Sequence, residues 1–198
     1  MTTTFKVDTR TALLEAGKDI MFEKGYTNTG IQEVLNKVGV PKGSFYHYFN
    51  SKEDFALKLI EYTDEVCGAK SRRALTDSDV SPTERLMNYC LEGKNALSES
   101  KCRKGCFIGN LSQEMSDQSE TLRKALSAKM FKWKELFALC IKEGQKVGEV
   151  SKAWPADKMA ELFFSGWEGA LMRAKTIKSV EPLNDFIDLM FNHILKAT

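Results

Sequence analysis

From Lys37 to Lys52 the chain carries Lys37, Lys42 and Lys52 and no Asp or Glu, a local charge of +3. Ser44, Tyr46 and Tyr48 add hydroxyls to the same stretch, His47 adds ring nitrogens, and Gly43 has no side chain to hold a partner away. Ammonium and hydroxyl groups donate to phosphate oxygens, glycine lets backbone come close, and a helix N-terminus favours an anion. The phosphate backbone of a nucleic acid fits this chemistry. The formal net charge is only +2 and the sequence pI about 8.2, so such affinity must come from the local patch rather than from the whole chain.

A second reactive group lies in Cys102-Arg-Lys-Gly-Cys106. Gly105 and the polar residues around it predict a helix beginning close to Cys106. A thiol at a helix N-terminus beside Arg103 and Lys104 has its thiolate stabilised, which makes it a nucleophile that can report oxidants or electrophiles. A cysteine at this place also serves as a small apolar plug. Cys102 stands four residues before Cys106, on one face if the segment is helical, and joins it as a candidate sensor thiol. Cys90 and Cys140 fall in apolar stripes and read as core, and Cys67 has no assignment. Five cysteines are an odd count, which disfavours a secreted disulfide framework. No metal site is expected, because nothing is spaced to complete a four-ligand zinc set. No catalytic residue or cofactor is expected either: His47 belongs to the basic stretch, His193 lies near the C-terminus, and Cys106 is left without a base.

These groups need elements to position them. Thr29, with Gln32 three residues on, reads as a capping box for a helix whose apolar stripe is Ile31, Val34, Leu35 and Val38. Gly39 ends that helix and Pro41 confirms the break. A second helix turns Phe45, Tyr48 and Phe49 inward and leaves Lys42, Gly43, Ser44, Tyr46 and His47 facing out. Ser51 with Asp54 caps a third, which runs toward Arg73. Before this unit, Leu13, Ala16, Gly17 and Ile20 form the stripe of a helix ending near Lys24-Gly25. After a polar linker at Thr76 to Asp79, Ser81-Pro82-Thr83-Glu84 starts a helix with Leu86, Tyr89, Cys90, Gly93 and Leu97 inside. A long helix follows Ser119, another opens at Pro155, and the last begins at Glu181-Pro182. No period-two strand pattern occurs. The fold class is all-α: an N-terminal three-helix head with a helix-turn-helix (1–52), then a helical ligand-binding and dimerisation body (53–198). With 42% hydrophobic and 28% charged residues, no signal-type N-terminus in Met1 to Lys6 and no apolar run of about 20 residues, a cytoplasmic protein without membrane contact is expected.

The run Ile31-Gln-Glu-Val-Leu-Asn-Lys-Val-Gly-Val-Pro-Lys-Gly-Ser-Phe-Tyr-His-Tyr-Phe-Asn-Ser-Lys-Glu resembles the head of the TetR family of bacterial transcriptional repressors. Glu143-Gly-Gln-Lys-Val-Gly-Glu and Trp167-Glu-Gly-Ala-Leu-Met-Arg-Ala-Lys extend the resemblance more loosely into the body. One departure is Val34-Leu35, where many members have Ile-Ala before the turn. The resemblance implies a homodimer pairing through the last two helices and a palindromic double-stranded DNA operator. It implies that Thr29 and Gly30 touch phosphate, that Lys42 to His47 enter the major groove, and that Tyr48 and Lys52 hold the flanking backbone. The Gly-Cys step at Cys106, with Pro-Lys-Gly-Ser-Phe-Tyr-His-Tyr-Phe, is similar to the NemR-like electrophile-sensing branch.

The expected function is therefore a repressor released from DNA by a small-molecule inducer or by an electrophile at Cys106. An apolar or aromatic inducer would sit in a pocket lined by Phe107, Trp133, Phe137, Phe163 and Trp167, beside the helix from Ser51 to Arg73. Glu114 and Glu168 are candidates for its polar end. Phe163, Phe164, Trp167, Phe186, Met190 and Phe191 form an excess of large apolar residues that suggests the dimer interface. The alternatives are a helical dimeric adaptor, or a cysteine-dependent enzyme without DNA binding.

Overall fold

The computed structural model describes residues 8–197, the Cys67 side chain excepted; the readings of Met1 to Lys6 and of Cys67 lie outside them. Among the described residues the chain forms nine α-helices and a closing π-helical turn, with no strand beyond one isolated bridge, Val150 to Lys196. α1 (Thr9–Lys24) is capped by Asp8, α2 (Ile31–Val38) and α3 (Lys42–Tyr48) make the helix-turn-helix, and α4 (Lys52–Leu75) starts behind Ser51, whose Oγ accepts from the Asp54 amide. Gly39 holds the turn at φ 76°, a left-handed conformation that favours glycine. The body continues with α5 (Pro82–Glu99), α6 (Phe107–Met115), α7 (Glu120–Val147), α8 (Ala156–Ile177) and α9 (Glu181–Leu189), then the turn Met190–Ile194. Ser81 caps α5 through Glu84, as its sequence position predicts, and Ser119, from which the long helix was expected to follow, caps α7 through Leu122.

Several local expectations are corrected. Thr29 does not cap α2. Gly30 is the N-cap, the Thr29 hydroxyl donates back to the Gly25 carbonyl at 2.6 Å, and the Gln32 amide donates to Asn36. The tight exit from α1 at Gly25 brings that carbonyl within reach and draws the threonine inside. Tyr48 is exposed rather than inward, because the seven-residue α3 has one buried position, Phe45, with Phe49 just beyond its end. Of the residues read as a surplus for dimerisation, Phe163, Trp167, Met190 and Phe191 are buried within the chain and Phe164 and Phe186 pack against its core. The apolar residues that α8 does expose are Leu162, Met172 and Ile177.

Two apolar cores share the molecule. One gathers α1, α2, α3 and the first half of α4, but also Phe107, Leu111 and Met115 of α6 and Leu122 and Leu126 of α7; the other fills the body between α5, α7, α8 and α9. α6 is thus part of the support of the head. At its far end the Glu114 carboxylate accepts from the Tyr26 and Thr27 amides, both at 2.7 Å, in the link between α1 and α2. Nearby, the Ser119 hydroxyl donates to Glu53 of α4 at 2.5 Å. Burial acts to raise the Glu114 carboxyl, but the two backbone donors, the Thr27 hydroxyl and the Lys52 charge outweigh it and hold the group below its ordinary 4.5. A carboxyl depressed by folding contributes stability above its unfolded pKa, and the contribution is lost as pH falls through the folded value.

Glu114→Ala is expected to lower the free energy of unfolding by about 1.5–3 kcal/mol, the range for hydrogen bonds to a charged group. Denaturant titration checks it. A matching loss should occur in the native protein below pH 4.5 and be absent from Glu114→Gln; an unchanged midpoint in both variants would remove Glu114 as a tie between head and body.

Candidate functional site

Two sites emerge, one on the head and one where head meets body. On the head, Lys42, Gly43, Tyr46, His47 and Tyr48 are all exposed along α3, with Ser44 half-buried. Tyr46 is 50% exposed, with the Lys42 ammonium 6.0 Å from its ring centroid, and the His47 and Tyr48 rings meet edge to face at 4.7 Å. These side chains lie on consecutive positions of one short helix, so the structure brings together what the sequence pointed to. Gly30 is exposed at the start of α2, whereas the Thr29 side chain is 2% exposed and withdrawn from any partner.

The charge of this face is smaller than the sequence count. Lys37 pairs with Asp19 at 3.2 Å. The Lys52 ammonium donates to the Thr27 carbonyl at 3.1 Å and lies 4.5 Å from the Tyr26 ring centroid, and burial lowers its pKa. Lys52 therefore ties α4 to the α1–α2 link. Gly43 is the more telling residue. Its φ is not left-handed and a Cβ placed on it meets nothing within 4 Å, so nothing inside the chain requires glycine there. Close approach of an outside backbone or phosphate is one physical use of a glycine in such a place.

The second site is a cavity of about 530 Å³. Its walls come from α1 (Lys18, Asp19, Phe22), α4 (Thr63, Asp64, Gly68), α5 (Tyr89, Glu92), the start of α6 (Cys106, Phe107), α7 (Met130, Trp133) and α8 (Phe164, Trp167, Glu168). Phe107, Trp133 and Trp167 line it as predicted, but Phe137 and Phe163 do not: both are fully buried, Phe137 packing behind Tyr89 at 5.0 Å and against Phe163 at 4.9 Å. Helical spacing placed these residues on inward faces without distinguishing the cavity wall from the layer behind it. Phe22, Thr63 and Tyr89 are lining residues that sequence reasoning missed. Tyr89 did carry a signal, its place on the buried stripe of α5; Phe22 lies off the main stripe of α1 and carried none. Glu114 is committed to the head and is not at the cavity, whereas Glu168 is.

Cys106 is the N-cap of α6, and its Sγ accepts from the Gly109 amide at 3.3 Å. The predicted activation by neighbouring cations is overturned. Lys104 reaches Asp19 at 3.7 Å and stands 6.0 Å from the Phe22 ring centroid. Burial, with the Glu168 charge second, pushes the Cys106 thiol well above its ordinary value. Cys102 does not share a helical face with Cys106. It sits buried in the turn after α5, at φ 55°, and its carbonyl accepts from Lys178. Glu168 is raised by burial, and burial followed by Cys106 and Glu168 keeps the Tyr89 phenol protonated. Among the described residues no group of three or more His, Cys, Asp or Glu is placed to hold a metal, and no helix is long and apolar enough to cross a membrane.

Comparison with known proteins places this architecture. Residues 13–59 match the model of bacterial regulatory proteins of the tetR family, and residues 82–190 match the tetracyclin repressor-like C-terminal domain. The transcriptional regulator AcuR of Cereibacter sphaeroides is 37% identical over 94% of this chain and 85% of its own. The HTH-type transcriptional repressor DhaR of a Mycobacterium species is 33% identical over 96% and 93%. The crystal structure of Escherichia coli NemR in its reduced form superposes with a TM-score of 0.86 at 29% identity, covering 96% of this chain and 100% of that one.

Gly43→Ala is expected to leave the melting temperature unchanged or to raise stability by up to about 1 kcal/mol, as for glycine to alanine within a helix, while weakening binding to DNA at least tenfold. Thermal melts beside a DNA titration check it. Equal affinity for the two proteins would remove α3 as the face that approaches DNA.

Proposed function

The chain belongs to the TetR family of bacterial regulatory proteins, and from that premise we propose that it represses transcription until a small molecule acts in the cavity that holds Cys106. Members of this family are DNA-binding regulators rather than enzymes, and they bind operator DNA as dimers. In the reading we favour, residues 1–52 are the DNA-binding head and 53–198 the regulatory and dimerising body of a cytoplasmic repressor. Lys42, Gly43, Ser44, Tyr46 and His47 enter the major groove, Gly30 approaches phosphate, and Tyr48 and Lys52 hold the flanking backbone. A two-fold pair of heads reads a palindrome with half-sites about 34 Å apart or a multiple of that.

The observation that carries the release mechanism is the continuity of α6. Cys106 caps one end at the cavity, and Glu114 near the other end holds the backbone between α1 and α2. Phe107, next to Cys106, meets Phe22 of α1 edge-on at 5.1 Å. Anything that enlarges the cavity or is joined to Cys106 bears on α1, α4 and α6 together, and through them on the head. A shift worth about 3 kcal/mol changes operator affinity roughly a hundredfold. The relative NemR has a structure described as its reduced form, which supports a thiol-based version of the signal. A second reading, release by a ligand that forms no bond, is favoured by the burial that keeps Cys106 protonated.

The two versions separate in one experiment. Wild-type protein and Cys106→Ser are titrated onto DNA from upstream of the gene, before and after N-ethylmaleimide. Loss of wild-type affinity by about a hundredfold, with Cys106→Ser unaffected, is expected; equal loss in the variant would remove the thiol and leave the cavity alone. The dimer has its own test. Gly169 on α8 has nothing within 4 Å of a built Cβ and lies between the exposed Leu162 and Met172 along the helix. Gly169→Leu is expected to leave the fold intact and to shift sedimentation toward monomer, and an unshifted dimer would move the interface elsewhere.

A further inference from the structure

We propose that Glu168 is the proton acceptor through which the Cys106 thiol adds to a conjugated carbonyl compound in the cavity, an inference that rests on Cys106 being the reporting group. Glu168 projects from α8 over the first turn of α6. A Cβ built on Gly109 would collide with its Oε2 and would stand 3.4 Å from the Cys106 Cβ, so carboxyl and thiol lie over the same backbone. The thiol sulfur already accepts from the Gly109 amide, which leaves its own hydrogen to be directed at an acceptor.

The other acids of the cavity wall are occupied. Asp19 is met by Lys37 and Lys104, Asp64 by Arg72 and Lys129, and Glu92 by Lys70. Among the described ion pairs Glu168 has no cation, and its interacting neighbour is the Cys106 thiol. The Thr63 hydroxyl of α4, in a residue 7% exposed, is buried against the same space without a hydrogen-bond partner. The groups facing the thiol and carboxyl are Tyr89 from α5, held protonated, and Lys175 from α8, whose ammonium donates to Asn110 at 3.0 Å and is lowered by burial and by Lys178.

The reaction balances without an oxidant. A sulfur electron pair forms the S–C bond to the β-carbon, the carbon–carbon π pair moves toward the carbonyl oxygen, and the thiol proton passes to the Glu168 carboxylate. Return of that proton to the α-carbon regenerates the carboxylate and completes addition of S–H across the double bond. Burial favours each part: it keeps the thiol protonated until a substrate arrives, and it raises Glu168 above its ordinary 4.5, which strengthens it as a base.

The experiment measures the rate of N-ethylmaleimide addition to Cys106 by mass spectrometry in the intact dimer, for wild type, Glu168→Gln and Glu168→Asp, between about pH 5 and 9 where thiol and carboxyl control separate. The wild-type rate should fall as pH drops through the raised Glu168 value and level off above it. Glu168→Gln should react about a hundredfold more slowly and climb roughly tenfold per pH unit as free thiolate accumulates. Glu168→Asp should recover part of the rate. A Glu168→Gln protein with the wild-type rate and profile would overturn the proposal while leaving Cys106 as the reporter. No adduct at Cys106 in the wild type would instead overturn the reading beneath it. If Glu168→Gln does not fold, the wild-type profile still decides, since a climb of about tenfold per unit throughout excludes the carboxylate.

Discussion

The arrangement depends on the grip of one carboxylate. Glu114 accepts from two consecutive backbone amides, those of Tyr26 and Thr27, in the link where α1 hands over to α2. The tight turn at Gly25, with φ 77°, presents those amides to one acceptor, and a side chain there would strike the carboxylate itself. Because Glu114 belongs to α6, a helix of the body, the orientation of the helix-turn-helix is referred to the body rather than to the head alone. Lys52 reinforces it from α4 by holding the Thr27 carbonyl, and Ser119 by holding Glu53. A charged hydrogen bond is directional as apolar packing is not, so it transmits rotation and not only contact.

The apolar interior beneath that grip joins what the two ends of the molecule do. The core that surrounds Phe45, Phe49 and Phe55 in the head continues without interruption to Phe107 and Leu111 of α6 and Leu122 of α7. A close-packed interior transmits strain because it cannot be compressed to absorb it. The cavity opens beside this core, and its walls include α1, α4 and the first residues of α6. A signal that begins at Cys106 therefore has a short mechanical path to the head, through Phe107 against Phe22 and along α6 to Glu114.

The chemistry at Cys106 runs opposite to that of an exposed reactive cysteine. The Gly109 and Ile108 amides at its helix-terminal position favour the thiolate, but burial and the Glu168 charge favour the thiol, and the latter prevail. A thiol protected in this way is slow toward reagents that stay in water. A molecule reaching the proposed reporter through the cavity would have to pass among Phe22, Trp133 and Trp167, so the lining would set its selectivity. The reading as a reporter and the reading as a ligand pocket thus describe one place.

Much of this was legible in the chain itself. The caps at Ser51, Ser81 and Ser119, the turn at Gly39-Val40-Pro41 and the exposed run from Lys42 to His47 are local features, set by backbone geometry and by interactions within a few residues. The division of the helices into an inward and an outward face was largely local as well, since periodicity reports it, although it put Tyr48 of the short α3 on the wrong side. What only the tertiary structure decided were the pairings between distant segments. Spacing made Phe137 and Phe163 inward without showing that Tyr89 stands in front of Phe137, and it made Thr29 a cap without showing the Gly25 carbonyl behind it. It counted Lys37 as free charge although Asp19 lies against it, and put Arg103 and Lys104 beside a thiol that α8 had already met with Glu168. Hydrogen bonds, ion pairs and desolvation depend on distance in space, and a sequence orders its residues only along the chain.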